Sequence, residues 1–381
     1  MTPAVPQELS SRARSLSASV YRVGRPPDGV VPVPLNVGDT FLPPPAVEID
    51  TSEPHRYTPP AGLPSLREAL AERIHARSGQ SLSPDAIIVT PGGTAALSAV
   101  VGAMVNPGDS VLICAPYWPL IAGITRIALA EPVAVPLFTG ALTAEAVNDA
   151  LEAAHQPGAK AIYVNAIHNP TGRLLSDAGA AALVEFARRH DLWILADDVY
   201  EDFVYTDAEA PNFLALAPER TVQINSASKA FGIAGARVGW AAGAPEPVKA
   251  ALKLHLNTGY CAPLFGQRIT EQCLRADGPG PVWQATARQA YADAGRAAAE
   301  RLGVAPPLGG QFMFVDVADA LDPVEDEALI SLLRRCLQAG VALAPGTSCG
   351  PYPHHVRICF TSAPPADVAR GVEAFAEVLG R

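Results

Sequence analysis

Five short runs set reactive or anion-binding side chains beside turn residues. They are Thr90-Pro91-Gly92-Gly93-Thr94, Asn169-Pro170-Thr171-Gly172, Asp197-Asp198-Val199-Tyr200, Ser226-Ala227-Ser228-Lys229 with Arg237 eight residues beyond it, and His355-Val356-Arg357. The first follows a strand-like run and precedes a helical one. Its two glycines let the backbone approach an anion, the helix start offers free N–H groups and the positive end of a dipole, and Thr94 adds a hydroxyl. That is a cup for a phosphate. A Gly-Gly step between strand and helix is also an ordinary tight turn, and the run matches neither G-x-G-x-x-G nor G-x-x-x-x-G-K-[ST], so dinucleotide and ATP readings lack their fingerprints. The other runs also have ordinary readings taken singly. Asn-Pro-x-Gly is a common turn, a strand-end Asp often caps a helix, and a lysine after serine is commonly just solvated. What makes them a set is their position, each after a strand, where open α/β sheets bind ligands.

The strands that must position them are short apolar runs, most of them rich in β-branched residues: 86–89, 111–114, 133–135, 161–164, 192–195, 222–224 and 238–241. Each is bounded by Gly, Pro, Asp or Asn and reads as a buried strand. Helical periods such as Leu66, Ala69, Leu70, Ile74 and Ala181, Leu183, Val184, Phe186 lie between them. Strand–helix alternation predicts an α/β/α sandwich around a mainly parallel sheet of seven strands. After about residue 280 the pattern changes to helices with a few strands, at 311–317, 341–344 and 356–360, which predicts a smaller α+β domain. The expected division is an N-terminal arm contributing to the small domain (1–40), a large domain (41–280) and a C-terminal small domain (281–381). Gly278-Pro279-Gly280-Pro281 is the candidate linker.

The bulk properties narrow the class. With 381 residues and 49% hydrophobic residues, the chain can bury a large core. The net charge of −10 argues against nonspecific nucleic-acid binding, which needs clustered Lys and Arg. The six cysteines show no C-x-x-C pair and no metal-like spacing with histidine, so no metal is expected, and they read as reduced thiols of a cytoplasmic protein. No basic-then-apolar signal sequence opens the chain, and no charge-free apolar run reaches the ~18 residues of a membrane helix.

In this order and at these strand ends, the motifs resemble one family, the fold-type I pyridoxal 5'-phosphate (PLP) enzymes of aminotransferase class I/II. The resemblance runs from about Leu35 to Arg381. It also rests on Asn36-Val37-Gly38, Tyr57 before Gly62-Leu63-Pro64-Ser65-Leu66-Arg67, and Ala115-Pro116-Tyr117-Trp118. It implies that Lys229 forms the Schiff base with PLP and then moves the Cα proton. It implies that Asp197 keeps the pyridine nitrogen protonated, with Asp198 structural, and that Asn169 and Tyr200 donate to the ring's 3'-oxygen. Trp118 resembles the aromatic plate on one ring face and Val199 the apolar contact on the other. Ser226, Arg237 and the Gly92-Gly93-Thr94 cup correspond to the phosphate site. Tyr57 resembles the residue that reaches that phosphate from a second subunit, which implies a homodimer. Arg357 resembles the guanidinium that clamps the substrate α-carboxylate, with the Gly38 backbone and Asn169 completing the clamp.

The implied activity is transfer of an amino group from an α-amino acid to a 2-oxo acid. The alternative on the same scaffold is β- or γ-elimination, decarboxylation or cyclisation of an amino acid, because PLP carries the hard chemistry in all of them. Tyr200 after Asp197-Asp198-Val199 favours transfer. A DNA-binding regulator on this fold is disfavoured by the short segment before Leu35 and the acidic charge. The stretch Gly38-Asp39-Thr40-Phe41-Leu42-Pro43 lacks the Gly-acid-Pro order common in the family, which leaves side-chain specificity open. No second arginine for a side-chain carboxylate is evident, Arg22, Arg25 and Arg56 being the candidates. The sequence therefore favours a neutral or aromatic substrate side chain. His168 is read as structural, Tyr117, Tyr260, His354 and His355 as candidates for the pocket, and Leu254–Cys261 as a substrate- or dimer-facing loop.

Overall fold

The computed structural model describes residues 10–16, 23–52, 54–322, 324 and 327–381. Its strands in chain order are β1 (Val33–Pro34), β2 (Ile87–Thr90), β3 (Ser110–Ala115), β4 (Glu131–Pro136), β5 (Ala159–Val164), β6 (Trp193–Asp197), β7 (Thr221–Ser226), β8 (Gly239–Gly243), β9 (Phe312–Asp316), β10 (Val341–Ala342), β11 (Ala344–Pro345) and β12 (His355–Cys359). Seven of them form one sheet in the order β2-β8-β7-β6-β5-β3-β4. β4, β3, β5, β6 and β7 run parallel, and β8 is antiparallel to both neighbours.

The strand sequences explain their places. β2 and β3, largely apolar runs covered on both faces, are buried at every residue, and so is β7 although it carries Thr221, Gln223, Asn225 and Ser226. β4 carries Pro132 and Pro136, which cannot donate to a ladder, and it lies at the sheet edge where that is tolerated. Helices cover both faces. Gly93–Met104, Pro119–Ile127 and Pro245–Thr258 pack with Val100, Ile121 and Val248 on one side. Ala144–Ala154 and Asp177–Arg189 pack with Leu151 and Leu183 on the other. The parallel strands switch direction of build-up between β3 and β5, and a crevice at that point is where such sheets hold ligands.

A second core forms from helices Pro279–Leu302, Ala328–Gln338 and Pro365–Leu379 against the antiparallel sheet β11-β12-β9. β1 pairs with β10 and brings Val33 and Leu35 into this core.

Three expectations change. Gly278–Pro281 is not a slack linker. Gly278 caps the helix Pro279–Leu302, and a Cβ on Gly280 would stand 2.0 Å from the Cys273 carbonyl oxygen, so the run is a close-packed helix corner. Leu254–Thr258 is the end of the helix Pro245–Thr258 rather than loop, with Tyr260 in the left-handed region just beyond it. The run 341–344 is two strands, because the chain leaves its pairing with β1 at Ala342 and joins β12 at Ala344. The six cysteines are free thiols.

Candidate active site

The ends of β2, β3, β5, β6 and β7 converge on a cavity of about 230 Å³. At the end of β2, Thr90 is buried and its hydroxyl donates to Gly92 O at 3.0 Å. Gly92 has φ +89°, and a Cβ there would meet the Arg237 guanidinium at 2.3 Å. The turn therefore needs glycine for conformation and for space. Gly93 then opens the helix Gly93–Met104, whose first amide groups and Thr94 face the cavity. Arg237 is held from behind by the carbonyls of Ala234 (3.0 Å) and Pro91 (3.2 Å), and among the described residues no carboxylate pairs with it. A guanidinium beside a helix N-terminus, with no carboxylate, is an anion site.

Ser226 ends β7 and caps the short helix Ala227–Ala230. Its hydroxyl accepts from Ser228 N at 3.1 Å and lies 2.9 Å from the Ser228 hydroxyl. Both serines line the cavity. Lys229 extends from this helix and donates to Gly38 O at 2.6 Å. Burial pulls its pKa below the usual lysine value, which leaves more of the amine unprotonated, the form that acts as base and nucleophile.

Across the cavity stands Asp197. Its Oδ2 accepts from the Tyr163 hydroxyl at 2.5 Å, and its backbone oxygen accepts from Asn165 Nδ2 at 2.8 Å. Its Oδ1 is buried with no hydrogen-bond partner. Burial pushes the carboxyl pKa up to about 6, opposed first by the Tyr163 hydrogen bond. Trp118 and Val199 line the cavity, with Asn169 and the buried Tyr200.

Arg357 lies in the middle of β12, fully buried, with its guanidinium 4.5 Å above the Phe312 ring. It donates to Asn36 O at 2.9 Å and Asn169 Oδ1 at 3.3 Å. Phe312 also packs on Tyr200 and leaves no room for a Cβ on Gly38, which would fall 2.5 Å from the ring. Gly38, Asn169 and Arg357 thus form one continuous edge of the site.

Most expected residues are brought together. Tyr57 is not brought to this cavity: it is 82% exposed and meets only Tyr260 edge-on at 5.0 Å. Arg25 and Arg56 are exposed and line none of it, and Arg22 lies outside the described residues. His168 is stacked on Phe138 and bonded to Thr171 at 2.8 Å, a structural role. His355 stacks on Phe314 away from the cavity lining. Sequence reasoning missed Ser228, Tyr163 and Asn165. Tyr163 lies near the end of β5 and Asn165 just beyond it, a signal that points at Asp197 only once the strand order is known.

A larger cleft of about 560 Å³ lies behind the end of β6, lined by Arg77, Asp198, Glu201, Asp202 and Arg288. Its charges satisfy one another. Arg73 bridges Glu201 at 2.6 Å and Asp202 at 2.9 Å, and Arg77 also bonds Asp202. Asp198 accepts from Gln223 at 2.9 Å.

The front cavity fits PLP on its own geometry. An unpartnered carboxylate oxygen faces it where a protonated ring nitrogen needs an anion, a lysine amine faces an aldehyde's place, and hydroxyls, amides and Arg237 surround a phosphate's place. Comparison with known proteins agrees. The family model for aminotransferase class I and II matches residues 32–375. A probable aspartate/prephenate aminotransferase of Thermus aquaticus is 33% identical over 333 residues, 85% of this chain and 84% of that protein. The aspartate/prephenate aminotransferase of Thermus thermophilus is 32% identical over 86% of this chain and 84% of its own length. The structure of aspartate aminotransferase from Thermus thermophilus with maleate superposes with a TM-score of 0.86 at 29% identity, covering 98% of this chain and all of that one.

Proposed function

Because this chain belongs to the aminotransferase class I and II family and is a PLP-dependent aminotransferase, we propose that it holds the cofactor on Lys229 and exchanges the amino group of an α-amino acid with a 2-oxo acid at the cavity between β3 and β5. The observation that carries the assignment is the buried, unpartnered Oδ1 of Asp197, a residue that lines the same cavity as Lys229. When bound, PLP supplies an aldehyde that captures amines and a protonated ring that draws electrons from the substrate's Cα.

The chain supplies the rest. Lys229 Nζ, buried and resting on Gly38 O, would be the base that holds and moves the substrate's Cα proton once the cofactor is bound. Asp197 holds a proton on the ring nitrogen by facing it with a buried negative charge. Asn169 and Tyr200 would hold the ring's 3'-oxygen, and Trp118 and Val199, which line the same cavity, would confine the ring and exclude water. Arg237, Ser226, Thr94 and the Gly92-Gly93 amides bind the phosphate. Arg357 and Asn169 would receive the substrate α-carboxylate: the buried guanidinium bonds Asn169 Oδ1 at 3.3 Å, and Asn169 lines the cavity. Lys229 and Arg237 are the cations lining the cavity, and each already has a task. That supports a neutral or aromatic side chain over a dicarboxylic one.

The exposed Tyr57–Tyr260 pair supports a homodimer in which Tyr57 reaches the partner's phosphate. The acidic charge supports the absence of nucleic-acid partners. Among the described residues no helix is long and apolar enough to cross a membrane, which supports a cytoplasmic enzyme.

Borohydride reduction followed by peptide mapping tests the assignment. The pyridoxyl mass is expected on Lys229, and its appearance on another lysine overturns the site. Single-turnover reaction with phenylalanine and with aspartate tests the side-chain class, and a strong preference for aspartate reverses it.

A further inference from the structure

β5 is an apolar core strand with one hydroxyl buried in it. Tyr163 is fully buried, packed in the core that includes Ile113, Leu195 and Ile224. A phenylalanine would fill the same space without the cost of burying a hydroxyl, about 1–3 kcal/mol when it has no partner. The hydroxyl does have a partner, and it is Asp197 Oδ2 at 2.5 Å. Asn165, just beyond the end of β5, donates to Asp197 O at 2.8 Å. The two bonds clamp this residue at side chain and backbone, and they leave Oδ1 as the carboxylate oxygen without a partner at the cavity wall.

We propose that Tyr163 is a positioning residue for the cofactor site: its phenol, by donating to Asp197 Oδ2, keeps that carboxylate ionised and aims Oδ1 at the ring nitrogen of bound PLP. The proposal rests on the assignment of Asp197 made above. A hydrogen bond of this kind stabilises the anion over the acid, and here it opposes the burial that favours the acid. The titratable groups around the carboxylate are Tyr163 on β5, Asp198 and Tyr200 after β6, and Lys229 and Arg237 on the cavity wall. Asp198 is bonded by Gln223, and the hydrogen bond to the Asp197 carboxylate itself comes from Tyr163.

The test is retention of PLP by the full-length holoenzyme in equilibrium dialysis from pH 5 to 9. Retention needs ionised Asp197 and therefore weakens as pH falls. Tyr163→Phe keeps the shape and removes the donor. It is expected to weaken PLP retention about tenfold near neutrality and to move the onset of loss up by about one pH unit. 3-Fluorotyrosine introduced site-specifically at Tyr163, a stronger donor of nearly the same shape, is expected to move the onset down. It decides the matter if Tyr163→Phe does not fold. Opposite shifts support the proposal, and an unchanged onset in the variants that fold overturns it. Failure of the underlying assignment looks different, because the wild-type protein itself then yields no reduced adduct on Lys229.

Discussion

On one side of the β6 end, Asp198 faces Gln223 and a cleft in which Arg73, Arg77, Glu201 and Asp202 pair with one another at 2.6–2.9 Å or closer. On the other side, Asp197 faces a cavity in which one carboxylate oxygen has no partner and Arg237 rests on carbonyls. Both regions bury charge, and only one of them cancels it internally. The rear cleft is the larger, and the charges at its Arg73–Arg77–Glu201–Asp202 wall are paired with one another. The front cavity is less than half its size and keeps its cations and its anion apart, so that a molecule carrying both signs completes it. Internal neutralisation marks a charge cluster that supports the fold, and its absence marks a site.

That contrast breaks if front-side substitutions act through stability or rear-side ones through turnover. Lys229→Ala should lower single-turnover amino-group exchange by about ten-thousandfold and leave no reducible adduct, with thermal stability of the apoprotein little changed. Asp197→Asn should weaken PLP retention and, in the PLP-saturated variant, lower the rate of Cα–H cleavage by about a thousandfold, read in single turnover with α-deuterated substrate. Arg357→Lys keeps the charge and loses the fork, so kcat/KM for an α-amino acid should drop by about ten- to a hundredfold. The corresponding decarboxylated amine should be unaffected, and equal losses for acid and amine would remove Arg357 from the clamp.

Behind the sheet the signature reverses. Arg73→Met strands Glu201 and part of Asp202 and should cost about 3 kcal/mol in urea unfolding, with kcat of the folded enzyme unchanged within about twofold. The smallest effect belongs to Asp198, whose pKa is pushed up to about 7 by burial and by Glu201. The folded state thus holds this proton more tightly than the unfolded chain, whose value is near 3.8. Stability from this group is present at low pH and is lost as pH rises from about 4 to 7. Asp198→Asn keeps the acceptor for Gln223 and should therefore gain on the wild type at pH 8 relative to pH 5, measured by thermal unfolding at both.

The chemistry was largely legible in the sequence because it sits at strand ends, where Gly92-Gly93, Asn169, Asp197 and Lys229 interrupt apolar runs. The seven strands were legible for the same reason. Tyr163 was not, because a tyrosine inside a β-branched run reads as core, and its partner lies on another strand whose adjacency only the assembled sheet defines. Gly278–Pro281 misled because the same residues that break chains also start helices. The run 254–258 misled because His255 and Asn257 look like loop residues, whereas His255 is buried on a helix. The rear network joins Arg73 and Arg77 to Glu201 and Asp202, residues more than 120 positions apart, and no local pattern announces such a pairing.

The two rims of the large sheet bear on how copies of this chain can meet. At one rim, β4 has two residues of six with no N–H to offer. At the other, the Val89 N–H of β2 is already taken by Ala61 O at 3.0 Å. Neither rim presents an unbroken row of amides for a foreign strand, so the sheet does not grow by recruiting neighbours. Association between copies of this chain has to use side-chain surfaces rather than strand pairing at these rims.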